Sequence, residues 1–192
     1  MKVLLIACLP KRPGFGETLA YRLRDAIASA GHRLEWHELF EEGFDPRLEP
    51  SELLRGFSFD SLVMAHAQSL AEADRLLIVH PDWWGQPPAI LKGWIDRVFR
   101  EGLAYELRGE DGYEKKWTPL LGGKKALVIV TSDSTDPARA ELLRAIWVDA
   151  TLGPCGMEAR CLLIDRLRER SLAEREASLQ AAVEASLELV AG

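Results

Sequence analysis

Leu76-Leu77-Ile78-Val79-His80-Pro81-Asp82-Trp83-Trp84-Gly85-Gln86-Pro87-Pro88-Ala89-Ile90-Leu91-Lys92-Gly93-Trp94-Ile95-Asp96-Arg97-Val98-Phe99 changes its periodicity twice within one short stretch. Residues 76–79 are continuously apolar, the pattern of a strand covered on both faces. A turn rich in Pro, Gly and Trp follows. Pro88 suits the first position of a helix. Ile90, Leu91, Trp94, Ile95, Val98 and Phe99 then fall on one face at helical spacing. A strand that feeds a helix through a loop is the repeating unit of a parallel α/β sheet. The loop itself carries two adjacent tryptophans, Trp83 and Trp84, which are costly in water and hard to bury whole. They either present backbone and ring faces to a flat ligand or cap the core beneath the turn.

The same alternation extends to both sides. Residues 3–7 read as a first strand, 33–39 as a second, the quoted run as a third, 125–131 as a fourth and 159–164 as a fifth. Pro10, Pro13, Gly14 and Gly16 mark a loop, followed by a helix with Leu19, Leu23, Ala26, Ile27 and Ala30 on one face and Gly31 as its stop. Residues 61–73 are expected to be helical, 40–53 irregular, and 102–123 a polar, Gly-rich excursion. Asp136-Pro137 opens a helix carrying Leu142, Leu143, Ile146, Trp147 and Ala150, and Ser171-Leu172-Ala173-Glu174 is a capping box for the last one. This rhythm predicts a single α/β domain over residues 1–192, with a five-stranded parallel sheet and right-handed crossovers. Ligands of such sheets sit outside the carboxyl ends of the strands, where strand order reverses. The loops at 9–18, 81–88 and 131–136 are therefore expected to converge on one site.

The chain has 192 residues, enough for a full core. Its net charge of −6 gives no reason to expect nucleic acid as a partner, and no basic cluster stands out. The three cysteines, Cys8, Cys155 and Cys161, form no CxxC pair and read as reduced thiols of a cytoplasmic protein. Leu5-Ile6-Ala7-Cys8 resembles a lipoprotein cleavage box, but only seven residues precede Cys8 and the first-strand reading is preferred. No run approaches the roughly 20 apolar residues of a membrane span. The four histidines show no metal-ligand spacing, so no metal site is expected.

Gly14-Phe15-Gly16 lacks the third glycine of a dinucleotide fingerprint, because Leu19 stands in its place. What remains is either a glycine-rich approach to a helix amino terminus, able to hold an anion on backbone N–H groups, or an ordinary turn. Thr131-Ser132-Asp133-Ser134-Thr135-Asp136 is a hydroxyl-rich loop that either meets the polar edge of a ring ligand or only caps a helix. Tyr105 either lines a pocket or packs. No pair of acidic residues has a spacing that singles out acid–base catalysis.

The segment from Pro81 through Ala104-Tyr105 resembles the most recognisable stretch of the flavodoxin-like-fold NAD(P)H-dependent oxidoreductases, P-x-x-W-x-x-x-P-A-x-L-K-G-W-x-D-R-V-F followed by A-Y. That family includes NAD(P)H:quinone reductases, modulators of drug activity and ancillary subunits of glutathione-gated potassium efflux systems. Ala73-Asp74, Phe44-Asp45-Pro46 and Trp147-Val148-Asp149 with Gly153-Pro154-Cys155-Gly156 look similar as well, so the likeness covers nearly the whole chain. It implies strand order 2-1-3-4-5 with helices on both faces. It also implies a homodimer, with the 102–116 excursion and the Trp94 helix contributing and the site near the interface.

The resemblance further implies FMN as cofactor, with FAD left open, and NAD(P)H as co-substrate for a quinone-like acceptor. Pro81, Asp82, Trp83, Trp84 and Gly85 would line the isoalloxazine, and Thr131, Ser132 and Asp133 would flank it. Gly14, Phe15 and Gly16 would approach the phosphate and ribityl chain, and Tyr105 would face the nicotinamide or quinone pocket. No residue is singled out as a catalytic acid or base. Two departures matter. Leu9 and Gly14-Phe15-Gly16 stand where the family carries a histidine and a Ser-Phe-Asn triplet, leaving phosphate binding to backbone N–H groups, Thr18 and Lys11 or Arg12. The fourth-strand loop also lacks the Gly-Gly and Tyr/His pair of the mammalian quinone reductases. The depleted first loop motivates a second reading, a regulatory subunit that binds a transport protein with little or no flavin. Azo- or nitro-reduction on the same flavin is a third.

Overall fold

The computed structural model describes residues 1–55, 57–109 and 116–191. Five strands form one parallel sheet: β1 (Lys2–Ala7), β2 (Arg33–Glu38), β3 (Arg75–Pro81), β6 (Lys125–Thr131) and β7 (Glu158–Ile164). Two short strands, β4 (Tyr105–Arg108) and β5 (Lys116–Pro119), intervene in the chain and pair with each other as a separate hairpin. The sheet order is β2-β1-β3-β6-β7. With the hairpin set apart, this is the expected order 2-1-3-4-5.

Strand side chains alternate between two cores, as a pleated sheet requires. Leu4, Ile6, Leu76, Ile78, Val128 and Val130 face α3 (Ser61–Glu72), α4 (Ala89–Val98) and the helical segment carrying Leu143 and Trp147. Val3, Leu5, Leu77, Val79, Leu127 and Ile129 face α1 (Phe15–Ser29) and α6 (Leu172–Ala191). Each fully buried aliphatic side chain contributes about 1.5–3 kcal/mol. Covering both faces explains why these strands read as unbroken apolar runs.

Several expected boundaries shift for identifiable reasons. The first helix begins at Phe15, so Phe15, Gly16 and Thr18 lie in its first turn and not in a loop. Pro88 precedes the helix that Ala89 opens, as its cap residue. The irregular 40–53 stretch gives way to a short helix, α2 (Pro50–Arg55). The 102–123 excursion contains the β4–β5 hairpin, with Tyr105 opposite Pro119; its residues 110–115 lie outside the described ones. The helix expected from Asp136 starts at Arg139 as α5 (Arg139–Arg144) and widens into a π-helical segment, Ala145–Leu152. There the Thr151 hydroxyl donates to the Ile146 carbonyl, five residues back, at 2.7 Å. The capping box is realised: the Glu174 carboxylate accepts the Ser171 N–H at 2.7 Å, and the Ser171 hydroxyl accepts the Glu174 N–H at 3.3 Å.

Gly93 shows how two distant pieces of sequence fix each other. A Cβ at Gly93 would lie 2.3 Å from both the side chain and the carbonyl oxygen of Pro46. Backbone cannot give way as a flexible side chain can, so only glycine lets α4 approach the 44–46 segment this closely. Gly93→Ala is expected to lower unfolding free energy by about 2 kcal/mol, the cost of overpacking. Chemical denaturation of the two proteins checks it, and an unchanged midpoint would contradict the contact.

Candidate functional site

Strand order reverses between β1 and β3, and a cavity opens there, beyond their carboxyl ends. Its volume is about 440 Å³, within the range of small-molecule sites. The first loop forms one wall, Leu9 to Gly16; Pro81, Thr131 and Asp133 contribute from the third and fourth loops. Leu167, Arg168 and Arg175 close it from the chain after β7 and from α6. Of the residues expected at the site, Gly14, Phe15, Gly16, Pro81, Thr131 and Asp133 meet in this cavity.

The first wall is suited to an anion. No side chain caps α1, and Gly14, Phe15 and Gly16 at its amino end line the cavity. The first N–H groups of a helix lack intrahelical acceptors and carry the positive end of its dipole. Two cations stand nearby with no carboxylate partner among the described residues. Lys11 is exposed at the rim. Arg175 also lines the cavity, and its Nε is buried with no hydrogen-bond partner among the described residues. Thr18 is not part of this arrangement: its hydroxyl donates back to the Gly14 carbonyl at 3.3 Å.

Asp82 joins the third loop to the fourth. Its N–H donates to the Thr131 carbonyl at 2.7 Å. Its carboxylate accepts the Gly85 N–H and the Ser132 hydroxyl, each at 2.7 Å. The Ser132 oxygen in turn accepts the Ser134 N–H at 3.0 Å. The side chains of Asp82 and Ser132 are thus engaged in holding the loops and do not line the cavity. Trp83 and Gln86 exchange backbone hydrogen bonds at 3.1 Å, closing a two-residue turn with φ of 60° at Trp84 and 79° at Gly85. That geometry strains a tryptophan and favours glycine. Trp84 is 99% exposed and Trp83 46%, so neither ring caps the core. Tyr105 stacks on Trp117 at 3.8 Å between centroids, in the hairpin and away from the cavity lining. Asp133 pairs with Arg168 at 2.8 Å.

Sequence reasoning missed His80. Its ring is buried between the cavity and Trp147, and the Trp147 indole N–H donates to His80 Nε2 at 3.0 Å. Nδ1 therefore carries the ring proton and donates to the Pro81 carbonyl at 2.8 Å. Burial pushes the His80 pKa down to about 4, so the ring is neutral and holds the last peptide of β3. The thiol of Cys8, beneath the cavity, is pushed up to about 12 by burial and by the charge of Glu38, and it stays protonated.

His37, Glu42 and His66 form a compact cluster elsewhere, with candidate ligand atoms within 4.8 Å of one another. The Trp94 indole N–H donates to His66 Nδ1 at 2.9 Å, so Nε2 bears the proton and donates to Glu42 at 2.7 Å. A metal ion at Nε2 would force that proton to Nδ1, facing the indole donor. The geometry opposes a metal there.

A family model described as flavodoxin-like fold matches residues 1–190. The chain belongs to that family. It is 28% identical to an uncharacterized NAD(P)H oxidoreductase of Haemophilus influenzae, over 73% of this chain and 66% of that protein. It is 36% identical to human ribosyldihydronicotinamide dehydrogenase (quinone), over 70% of this chain and 64% of that one. The chain thus spans slightly less than two thirds of the length of these two relatives. Among solved structures, the NAD(P)H:quinone oxidoreductase of Methanothermobacter marburgensis superposes with a TM-score of 0.81 at 26% identity, covering 97% of this chain and 95% of that one.

Within this fold the arginines after β7 had a signal that composition hid. Arg166, Arg168 and Arg170 alternate and Arg175 follows one turn into α6. Ion pairs engage Arg166 with Glu169, Arg168 with Asp133 and Arg170 with Asp165.

The neutral His80 has a measurable consequence. Its folded pKa lies below the 6.5 of an unfolded histidine, so the unfolded chain binds the extra proton as pH falls. Stability is expected to drop between pH 6.5 and about 4, by on the order of 3 kcal/mol from this group. Denaturant unfolding across that window checks it. His80→Gln is expected to be less stable at pH 7 but to show a flatter profile.

Proposed function

We propose that the chain is a flavin-dependent NAD(P)H oxidoreductase acting on a quinone or similar acceptor. The observation that carries this reading is the cavity at the switch point, lined by an uncapped helix end and closed from α6 by Arg175, whose Nε has no partner among the described residues. A polar atom buried there without a partner fits a phosphate group. FMN, with one phosphate, is the form proposed. The names of the Haemophilus, human and Methanothermobacter relatives support NAD(P)H as reductant and a quinone as acceptor.

When bound, the flavin would supply the hydride chemistry, from NAD(P)H to the acceptor through N5. The chain's part is to bind, orient and neutralise. Gly14, Phe15, Gly16, Lys11 and Arg175 would hold the phosphate. Pro81 to Gly85 and Thr131 to Asp133 would flank the ring, with the exposed Trp84 as a stacking face. Most N–H groups of these loops already have acceptors. Among the described residues, those of Trp84 and Asp133 have none assigned and are the donors proposed for the electron-rich edge of the ring, an oxyanion-type role. Tyr105 is proposed to face the substrate only in an assembly where the hairpin approaches a cavity.

A homodimer is part of this reading. Leu53, Leu54, Phe57, Phe59 and Met64 form a run of exposed apolar side chains around α2 and the start of α3, which suits a second copy. Light scattering on the purified protein tests it. The chain is further read as one domain, because both cores share one sheet. A cytoplasmic location is read from the three free cysteines. No helix among the described residues is long and apolar enough to cross a membrane.

The decisive measurement is an absorbance spectrum from 300 to 500 nm, before and after addition of FMN and then of NADPH without oxygen. Flavin bands that bleach with nucleotide are expected. A protein that takes up neither FMN nor FAD would overturn the enzyme reading in favour of the regulatory one. Trp84→Ala and Arg175→Ala are each expected to weaken FMN binding by about tenfold, the loss of one stacking face or one charged contact. Unchanged affinity in both would remove these residues from the site.

A further inference from the structure

We infer that Glu38, at the end of β2 and outside the cavity, is a positioning residue for the loop that holds the phosphate. This rests on the flavin reading above and extends it to a residue that touches no ligand.

Glu38 is only 1% exposed, a rare place for a carboxylate. Its Oε1 accepts the Leu9 N–H at 2.8 Å, and its Oε2 accepts the Glu41 N–H at 2.7 Å. Arg12 Nη2 approaches the same Oε2 at 3.5 Å, and Arg12 also pairs with Glu41. One buried carboxylate therefore ties the start of the first loop to the turn after β2 by hydrogen bonds, and its charge faces Arg12 in the middle of the loop. Leu9, Pro10, Lys11, Pro13 and Gly14 form the cavity wall. The shape that Glu38 imposes on the loop is the shape of that wall.

This chain has particular need of such a brace. Gly14, Phe15 and Gly16 offer no hydroxyl or amide side chain to an anion. Affinity must come from the directions of backbone N–H groups, which bind well only if the loop is held in place before the ligand arrives. The loop is also folded tightly on itself, since a Cβ at Gly14 would lie 3.1 Å from the Lys11 carbonyl oxygen. Substitution by glutamine leaves one acceptor oxygen and sets an NH₂ against the other donor. Either Leu9 or Glu41 then loses its acceptor, and Arg12 keeps Glu41 as its one carboxylate partner among the described residues.

The test compares FMN with riboflavin, which lacks only the phosphate, by fluorescence titration of the full chain. Glu38→Gln is expected to weaken FMN by about tenfold and riboflavin by less than about threefold. A general loosening of the fold weakens both flavins alike. Equal weakening of the two, or no change in either, overturns the inference. Should Glu38→Gln fail to fold, Glu38→Asp is read in the same way; it keeps the charge but is too short to reach both N–H groups, and the same FMN-selective loss is expected. Wild-type protein that binds neither flavin overturns the cofactor reading itself and this inference with it. That result is seen before any substitution is made, so the two failures are distinct.

Discussion

The pairing of β3 with β6 continues past the end of the sheet, through Asp82. Its N–H extends the ladder to Thr131, and its carboxylate then gathers the Gly85 N–H and the Ser132 hydroxyl. Two loops that would otherwise leave the sheet independently are fixed relative to each other. Behind them, Trp147 and His80 hold the Pro81 carbonyl from inside the core. The edge of the sheet facing the cavity is therefore braced from the solvent side and from the core side. This bracing allows the intervening turn to keep Trp84 in a left-handed conformation and almost wholly in solvent. A strained, exposed ring persists only where its surroundings over-determine it.

The two buried histidines share one device. In both His66 and His80 an indole N–H from a neighbouring helix occupies one ring nitrogen, which fixes the proton on the other. Each ring then donates to an oxygen of another element, Glu42 in one case and the Pro81 carbonyl in the other. Buried imidazoles with both nitrogens engaged are connectors, not free bases. This accords with the proposed chemistry, in which the cofactor would carry the reaction and the chain would supply geometry and charge.

Much of the fold was legible because the strands are covered on both faces. Burial on two sides produces runs such as Val3-Leu4-Leu5-Ile6-Ala7 and Leu127-Val128-Ile129-Val130, which differ plainly from the spaced apolar positions of α4. Less legible were features that arise from one-to-one contacts across the sheet. The π-helical segment after Arg144 has no pattern of its own that departs from a helix. Asp82 looked like a loop residue for a ligand and proved to be engaged with its neighbours. Arg175 was hidden among arginines that mostly have acidic partners, and its orphaned Nε is visible only once the wall is assembled.

The order of strands and helices, the loops that meet at the carboxyl edge and the family likeness around Pro81 to Phe99 were all readable along the chain. These follow from periodicity and local turn chemistry, which act between residues close in the chain. Tertiary structure decided which side chains of those loops face the cavity and which face each other. It also decided that the cavity is closed from α6, and that Glu38 hydrogen-bonds a loop nearly thirty residues earlier. Such choices depend on hydrogen-bond partners brought together by the sheet, and no local pattern records them.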